Sequence, residues 1–318
     1  MRLCFFGSAS FAVPSLRALH SAGHDIVSVF TQPDRPAGRG GHLRGTPVKD
    51  CAVELGIPVV QPEHLDAEAL TVLQQCAPEA AVIIAYGMLV PAAMLAAVPR
   101  GWLNLHPSLL PKYRGAAPVP HCILNGDAET GVTVFRLNEK FDKGDILAVE
   151  KIPLPPAITS GELLEKLSHI GADLMARVLA RPVWEFLPQS GEKSSYARKF
   201  TKDDGIIDWA EAAAVIDRKV RAYQPWPLAR TCWGAKARQL TVTAVELTGR
   251  AAAAAPGTVE VGKNEILVAC ADQWLRLARV LPEGKAEMTG AEFLRGARLQ
   301  SGDRLGGNVN NLNLTDCD

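Results

Sequence analysis

Asn104 and His106 are the two residues of this sequence best suited to chemistry. They lie two positions apart in the segment NLHPSLLPKYRG (104–115), directly before a proline. Residues two apart in an extended strand point to the same face. An asparagine amide can donate to an oxygen that gains negative charge, and a histidine can exchange a proton near neutral pH. The pair therefore suits acyl transfer, although a polar strand end with a hydrogen-bonded histidine would look the same.

A carboxylate near the histidine would strengthen this interpretation, and the segment LNEKFDKGD offers Asp142 and Asp145. A carboxylate orients a neighbouring imidazole ring and favours its charged form. On turn chemistry alone, however, FDKG is more typical of a simple connection between two strands. The residues by themselves leave the role of both aspartates open.

The elements that must position these residues follow an alternating pattern. Short apolar runs alternate with helical patterns through the first half of the chain, which predicts a Rossmann-like, mostly parallel sheet with helices on both faces. The predicted parallel strands are 2–6, 25–30, 57–62, 80–86 and 102–106. Such sheets bind ligands beyond the carboxyl ends of their strands, which is where His106 lies.

The second half of the chain changes character. Runs 130–138 and 145–154 are expected to complete the sheet as a strand pair, and a long helix is expected over 160–179. Later short β-like runs with turn signals predict a small β-barrel or sandwich. We therefore expect a catalytic domain over 1–185, a linker over 186–205, a β-barrel domain over 206–305 and a disordered tail over 306–318.

Composition and motifs exclude several classes of protein. The 318 residues carry 34 basic and 34 acidic side chains, which argues against a uniformly basic nucleic-acid coat. Seven cysteines without a CxxC pair indicate a reducing compartment, and histidine spacing indicates no metal site. Gly7 stands alone where GxGxxG would be needed, and no GxSxG occurs. No apolar run is long enough to span a membrane, so we expect a soluble, cytoplasmic protein.

The segment TQPDRPAGRGGHLRGTPVK (31–49) is rich in glycine, proline and basic residues. It leaves the carboxyl end of the second predicted strand, on the same rim as His106, and we expect a long loop without regular structure. Such a loop suits a phosphate-bearing partner, although a solvated flexible loop would have the same composition. Its basic residues, against the single acid Asp34, are Arg35, Arg39, Arg44 and Lys49.

These segments together resemble the folate-dependent formyltransferases. The resemblance is carried by Asn-x-His followed by PSLLPKYRG, and by the FD-type aspartate at 142. Several longer segments are similar to the methionyl-tRNA formyltransferase family, and the similarity extends from Met1 to about Arg304. These segments are TQPDRPAGRG, AYGMLVP (85–91), RGAAPV (114–119), GDAETGVT (126–133) and the PWP of 225–227.

The resemblance implies roles for particular residues. Asn104, His106 and Asp142 would form the catalytic trio, with Asp145 the less favoured match. The formyl donor would be 10-formyltetrahydrofolate, and no metal would be required. Two segments would bind the donor. The first is the hook after strand 102–106, which consists of Ser108, Leu109, Leu110 and Pro111. The second is the end of strand 80–86 with the residues after it, namely Tyr86, Gly87 and Met88.

The resemblance also implies a partner, methionyl initiator tRNA, and a bacterial cytoplasmic location for a monomeric enzyme. Arg35, Arg39, Arg44 and Lys49 would contact the tRNA, together with a C-terminal OB-like domain. Residues 206–318 carry 14 Lys and Arg against 13 Asp and Glu, which is close to neutral for such a domain. Gly41 and His42 stand where the family usually has lysines. The details of tRNA contact therefore stay open.

Three alternatives share part of this pattern. The formyl acceptor could be a small amine, either glycinamide ribonucleotide or a nucleotide-linked amino sugar, because the trio and the hook do not distinguish acceptors. Water could replace the amine, which would make the protein a hydrolase. A non-catalytic RNA-binding protein is the third alternative, and the intact trio disfavours it.

Overall fold

The computed structural model describes residues 1–37, 42–191 and 193–306. Within these residues the chain forms two compact units that are interleaved along the sequence. The first unit comprises 1–118, 128–153 and 162–198, and the second comprises 119–127, 154–161 and 199–306. The domain boundaries expected from the sequence stay a prediction. Arg39 and the predicted tail 306–318, except for Gly306, lie outside the described residues.

The regular elements of residues 1–198 follow the predicted alternation. The strands are β1 (Arg2–Gly7), β2 (Asp25–Phe30), β3 (Arg35–Ala37), β4 (His42–Arg44), β5 (Val59–Val60), β6 (Ala80–Ile84), β7 (Trp102–His106), β8 (Arg114–Gly115), β9 (Glu129–Arg136), β10 (Ile146–Pro153) and β11 (Tyr196–Ala197). The helices are α1 (Val13–Ser21), α2 (Pro47–Glu54), α3 (Ala67–Cys76), α4 (Ala92–Ala96), α5 (Pro118–Leu124) and α6 (Ser160–Leu179).

The first unit is built on a sheet in the order β10-β9-β7-β6-β1-β2-β5, seven strands among the described residues. The five strands from β7 to β5 are parallel, and β9 and β10 add an antiparallel pair at one edge. From β1 the chain adds β2 and then β5 on one side, and it then returns to add β6 and β7 on the other side of β1. A crevice forms where strand order reverses in this way, so the ends of β1 and β6 mark the place for a ligand.

Packing explains why β7 presents its polar residues at one face only. The strands of the sheet centre are buried along their whole length, as β6 shows with five buried residues out of five. Leu105 points opposite to Asn104 and His106, and it packs on Gly171 of α6, where a side chain would collide with it. Helix α6 therefore covers one face of β7 and leaves the other available for chemistry. The predicted fold class of the first unit is confirmed.

The second unit contains an antiparallel sheet in the order β12-β13-β16-β15-β14, with β17 paired to β16. Its elements are β12 (Ala229–Trp233), β13 (Arg238–Ala251), β14 (Val259–Val261), β15 (Ile266–Ala269), β16 (Gln273–Pro282), β17 (Met288–Thr289), α7 (Ala213–Ala222) and α8 (Gly290–Ala297). The prediction of a C-terminal β domain is confirmed. Strand β12 and helix α8 are additions that the sequence pattern did not indicate.

The expectation of an unstructured loop over 31–49 is wrong for its described part. Strands β3 and β4 form a small antiparallel ribbon, and α2 begins at Pro47. The hydroxyl of Thr46 accepts a hydrogen bond from the Lys49 amide, and proline is favoured in the first turn of a helix. These two signals end the loop before Lys49. No helix in the described part of the chain has both the length and the apolar character to cross a membrane.

Candidate active site

Asn104 and His106 lie at the carboxyl end of β7, as the alternation predicts. His106 is 6% exposed, and Asn104 is partly buried between Ile83 of β6 and Phe135 of β9. In the described residues, the side-chain amide of Asn104 has no hydrogen-bond partner. A partly buried amide at a ligand crevice with no internal partner is available to a bound oxygen.

The two ring nitrogens of His106 have different neighbours. Nε2 lies 2.8 Å from the main-chain oxygen of Tyr113, and a carbonyl can only accept, so Nε2 carries a proton and donates. Nδ1 lies 3.9 Å from Oδ1 of Asp142. Because Nε2 is already committed, Nδ1 is the nitrogen that can gain or release a proton at the site.

Asp142 is held in place through both its side chain and its main chain. Its Oδ2 accepts a hydrogen bond of 2.8 Å from the Gly115 amide, and its backbone has a φ of 50°, in the left-handed region. This turn brings the Asp142 carboxylate within ion-pair range of His106, and we find no such pairing for Asp145 among the described residues. The geometry therefore supports Asp142 as the third member of the trio.

The hook after β7 is stabilised by hydrogen bonds within the first unit. The buried Ser108 hydroxyl donates to the Lys112 carbonyl at 2.7 Å. The hydroxyl of Thr133 donates to the Ser108 carbonyl at 2.7 Å and accepts from the Leu110 amide at 3.2 Å. Ser108 and Leu110 therefore shape the hook, while the side chain of Leu109 stays partly exposed.

The turn after β6 contains Tyr86, Gly87 and Met88. The Tyr86 ring is 2% exposed and packs edge-on against Phe6, so it lies in the core and only its main chain can face a ligand. Burial raises the pKa of its hydroxyl to about 12, and within the described residues that hydroxyl has no hydrogen-bond partner. The Tyr86 carbonyl accepts from the side chains of Ser8 and Gln32, which ties the ends of three strands together.

The basic residues of 31–49 differ in whether they form ion pairs and in how exposed they are. Lys49 forms a part-buried ion pair with Asp34, and hydrogen bonds from Gln61 and Lys49 hold the pKa of Asp34 below its usual range. Arg35 pairs with an exposed Glu63 at 2.7 Å. Arg44 is exposed and has no ion-pair partner within the part of the chain that the structure describes.

The basic residues of α7 each have a partner inside the second unit. Arg218 donates to the Leu124 carbonyl, and Lys219 forms an ion pair with Glu211. Arg221 pairs with Asp217 one helical turn before it. The charges of Lys219 and Arg221 are therefore balanced by carboxylates, whereas Arg218 is held by a carbonyl and keeps its charge.

Sequence reasoning missed several residues that shape the site. Thr133 holds the hook, Ser195 accepts the Tyr113 amide at 2.9 Å, and Gln189 contacts both the Asp142 turn and Arg114. Their spacing from the motif gives no local signal. Across the described residues, no group of three or more His, Cys, Asp or Glu side chains could hold a metal ion.

Comparison with known proteins identifies the family. The sequence profile described as formyl transferase matches residues 1–179, and that of the formyl transferase C-terminal domain matches 199–298. The chain belongs to the formyl transferase family. The resemblance that the motifs indicated is thereby confirmed.

Curated relatives share this match over nearly the whole chain. A methionyl-tRNA formyltransferase of Roseiflexus sp. (strain RS-1) is 43% identical over 96% of this chain and 95% of its own length. The methionyl-tRNA formyltransferase of Acidobacterium capsulatum is also 43% identical, over 96% of this chain and all of its own length.

Solved structures share the fold at low sequence identity. An N-formyltransferase from Helicobacter canadensis, in complex with folinic acid and dTDP-3-aminofucose, has a TM-score of 0.64 at 19% identity, over 87% of this chain and 98% of its own. HypX from Aquifex aeolicus in complex with tetrahydrofolic acid has a TM-score of 0.59 at 15% identity, over 92% of this chain and 47% of its own. These matches support the fold alone.

Proposed function

We propose that this protein transfers the formyl group of 10-formyltetrahydrofolate to the α-amino group of methionyl initiator tRNA. The observation that carries the proposal is the arrangement of Asn104, His106 and Asp142 at the end of β7. Nδ1 of His106 faces the Asp142 carboxylate at 3.9 Å, and the Asn104 amide has no hydrogen-bond partner among the described residues. The acceptor is inferred from the methionyl-tRNA formyltransferases that match almost the entire chain.

The first task of the trio is to stabilise negative charge. When the amine attacks the formyl carbon, the formyl oxygen becomes an oxyanion. The Asn104 amide and a protonated Nδ1 of His106 are the two donors that can reach it. Nε2 cannot serve, because it is bonded to the Tyr113 carbonyl. Removing one donor of this kind typically lowers the rate by about a hundred- to a thousandfold.

The second task is to move a proton. The attacking amine loses a proton, and the folate nitrogen gains one as its bond to the formyl carbon breaks. Asp142 accepts the amine proton, directly or through water, and returns it to the folate nitrogen as the bond to the formyl carbon breaks. Atoms and charge then balance without a metal or a covalent enzyme intermediate.

The residues of the crevice fit a folate donor. Leu109 and Met88 are apolar and partly exposed, and the Asn104 amide offers a donor to a carbonyl oxygen. Flat rings bind apolar surfaces with a few polar groups that fix orientation. The hook Ser108–Pro111 and the main chain of Tyr86 and Gly87 would complete the pocket.

For the tRNA, we infer that phosphate contacts come chiefly from the 31–49 segment. Arg44 is exposed and unpaired among the described residues, and Arg35 is exposed with an exposed partner. Arg39 is included from the sequence alone. The second unit would contribute as an OB-like domain, and we place the enzyme, as a monomer, in a bacterial cytoplasm.

The test is single-turnover formyl transfer from 10-formyltetrahydrofolate to methionyl initiator tRNA, in wild type and His106→Ala. We expect rapid transfer in wild type and loss of about a hundredfold or more in the variant. His169→Ala, on α6 and outside the trio, serves as the matched control. Absence of transfer to tRNA with folate still bound would contradict the proposed acceptor and favour a small amine. Transfer that survives in His106→Ala would contradict the site.

A further inference from the structure

The side chain of Gln189 hydrogen-bonds to two segments of the candidate active site, the turn at 142–144 and Arg114. Its Nε2 donates to the carbonyls of Asp142 (2.9 Å) and Gly144 (2.7 Å). Its Oε1 accepts from the guanidinium of Arg114, with 3.1 Å to Nε and 2.6 Å to Nη2. One amide thus uses all its hydrogen-bonding groups to join the turn that carries Asp142 to the segment that follows the hook.

The Asp142 turn needs such support. Asp142 has a left-handed backbone, which costs free energy for a residue other than glycine and persists only where the surroundings impose it. The side chain before it, Phe141, is 69% exposed and adds little packing. The Asp142 carboxylate is oriented by the Gly115 amide, and Gly115 directly follows Arg114. Gln189 therefore restrains the backbone of Asp142. It also restrains Arg114, the residue next to Gly115, whose amide orients the Asp142 carboxylate.

Gln189 is itself anchored on both sides along the chain. Before it, Leu187 exchanges two hydrogen bonds of 2.8 Å with Ile146 of β10. After it, β11 (Tyr196–Ala197) pairs in parallel with β8 (Arg114–Gly115). A cationic contact adds to the first anchor, since the Arg136 guanidinium lies 3.6 Å from the centre of the Phe186 ring. The segment around Gln189 is fixed to the same sheet edge as Asp142.

We propose that Gln189 is a positioning residue that sets the distance between Asp142 and Nδ1 of His106. This inference rests on the proposed function. Among the described residues, the side chain of Gln189 hydrogen-bonds to Arg114, Asp142 and Gly144 and to neither Asn104 nor His106, so it acts through Asp142. Small displacements of a catalytic group cost rate more than binding, so its loss should lower kcat and leave KM for both substrates nearly unchanged.

The first experiment compares Gln189→Ala with wild type in steady-state formyl transfer to methionyl initiator tRNA. We expect kcat to fall by about ten- to a hundredfold, with either KM changing by less than about threefold. Gln75→Ala is the matched control, because Gln75 is exposed on α3 and makes no side-chain hydrogen bond among the described residues. A kcat for Gln189→Ala equal to that of the control would overturn the inference.

A second variant separates the two ends of the side chain. Gln189→Glu keeps acceptors for Arg114 but loses both donors to the carbonyls of Asp142 and Gly144. If Gln189 acts through the Asp142 turn, the Glu variant is impaired at least as much as Gln189→Ala. Wild-type kcat in Gln189→Glu would instead assign the role to Arg114 alone and overturn the inference.

A double-mutant cycle excludes a general loss of structure. In the Asp142→Asn background, Gln189→Ala should reduce kcat by less than about twofold, because residues that act through one another are not additive. If Gln189→Ala lowered kcat in the Asp142→Asn background by the same factor as in wild type, the inference would be contradicted. Thermal unfolding of each variant identifies misfolded protein. Failure of the proposed function would look different, because wild type and Gln75→Ala would then also lack transfer activity.

Discussion

Nε2 of His106 donates to the main-chain oxygen of Tyr113 across 2.8 Å. Tyr113 has a φ of 59°, and its own amide donates to the Ser195 hydroxyl. This unusual backbone turns the Tyr113 carbonyl towards β7 and fixes the ring orientation of His106. The consequence is chemical, because Nδ1 becomes the only ring nitrogen available to a substrate.

Asp142→Asn should lower kcat by about a hundred- to a thousandfold while the turn is preserved. The asparagine oxygen can still accept the Gly115 amide, but the negative charge next to His106 is lost. Steady-state kinetics with methionyl initiator tRNA would measure the change. Asp145→Asn is the matched control, and we expect it to retain nearly full kcat. The reverse order of effects would transfer the role to Asp145.

Thr133→Val should weaken folate binding and destabilise the protein. The substitution keeps the shape but leaves the Ser108 carbonyl and the Leu110 amide without their partner, which costs about 1–3 kcal/mol in a buried site. Denaturant unfolding and a fluorescence titration with folate would measure the two effects. Thr130→Val is the control on the same strand, because Thr130 is buried and makes no side-chain hydrogen bond among the described residues. Equal losses in the two variants would refute the bridging role of Thr133.

Tyr86→Phe should raise the free energy of unfolding by roughly 1 kcal/mol, because it removes a buried hydroxyl that has no hydrogen-bond partner in the part of the chain that the structure describes. The pKa of this hydroxyl is raised to about 12 from a usual value of 10.0, so the unfolded chain ionises first. Below pH 10 ionisation of Tyr86 does not affect stability, and as the pH rises from 10 towards 12 ionisation in the unfolded chain lowers the stability of the wild type but not of the phenylalanine variant. Urea unfolding at about pH 8 and about pH 10.5 should show a gap between the two proteins that widens at the higher pH.

The same variant tests how the turn after β6 serves the donor. Because the Tyr86 ring lies in the core, folate affinity should stay within about twofold of wild type. A loss of affinity in Tyr86→Phe would show that the ring, and not only its main chain, contributes to the pocket.

Arg44→Ala should raise the KM for methionyl initiator tRNA by about three- to tenfold and leave the KM for folate unchanged. The reason is that Arg44 is exposed, has no ion-pair partner among the described residues and is therefore available to phosphate. The effect should shrink as salt concentration rises. Lys49→Ala should lower thermal stability instead, since Lys49 is already paired with Asp34. A larger tRNA effect for Lys49 than for Arg44 would refute this division of roles.

The sequence alone determined the main features of the fold and of the chemistry. The spacing of apolar residues along a short segment shows whether the segment forms a strand or a helix and which of its residues are buried. Strand β7 and the shared face of Asn104 and His106 could therefore be predicted. The motif at 104–115 and the longer similar segments identified the family, which the comparisons confirm. These signals lie within short stretches, where neighbouring residues are also neighbours in space.

The tertiary structure alone decided how the site is held. The contacts that matter join residues far apart in sequence: 47 positions separate Gln189 from Asp142, and 82 separate Ser195 from Tyr113. No local pattern encodes such pairs, because they depend on the order of strands in the sheet. The predicted linker 186–205 stays a prediction, but two of its residues, Gln189 and Ser195, hydrogen-bond to the Asp142 turn and to Tyr113, and its polar composition gives no sign of these contacts. Which ring nitrogen of His106 is free also follows only from the position of the Tyr113 carbonyl.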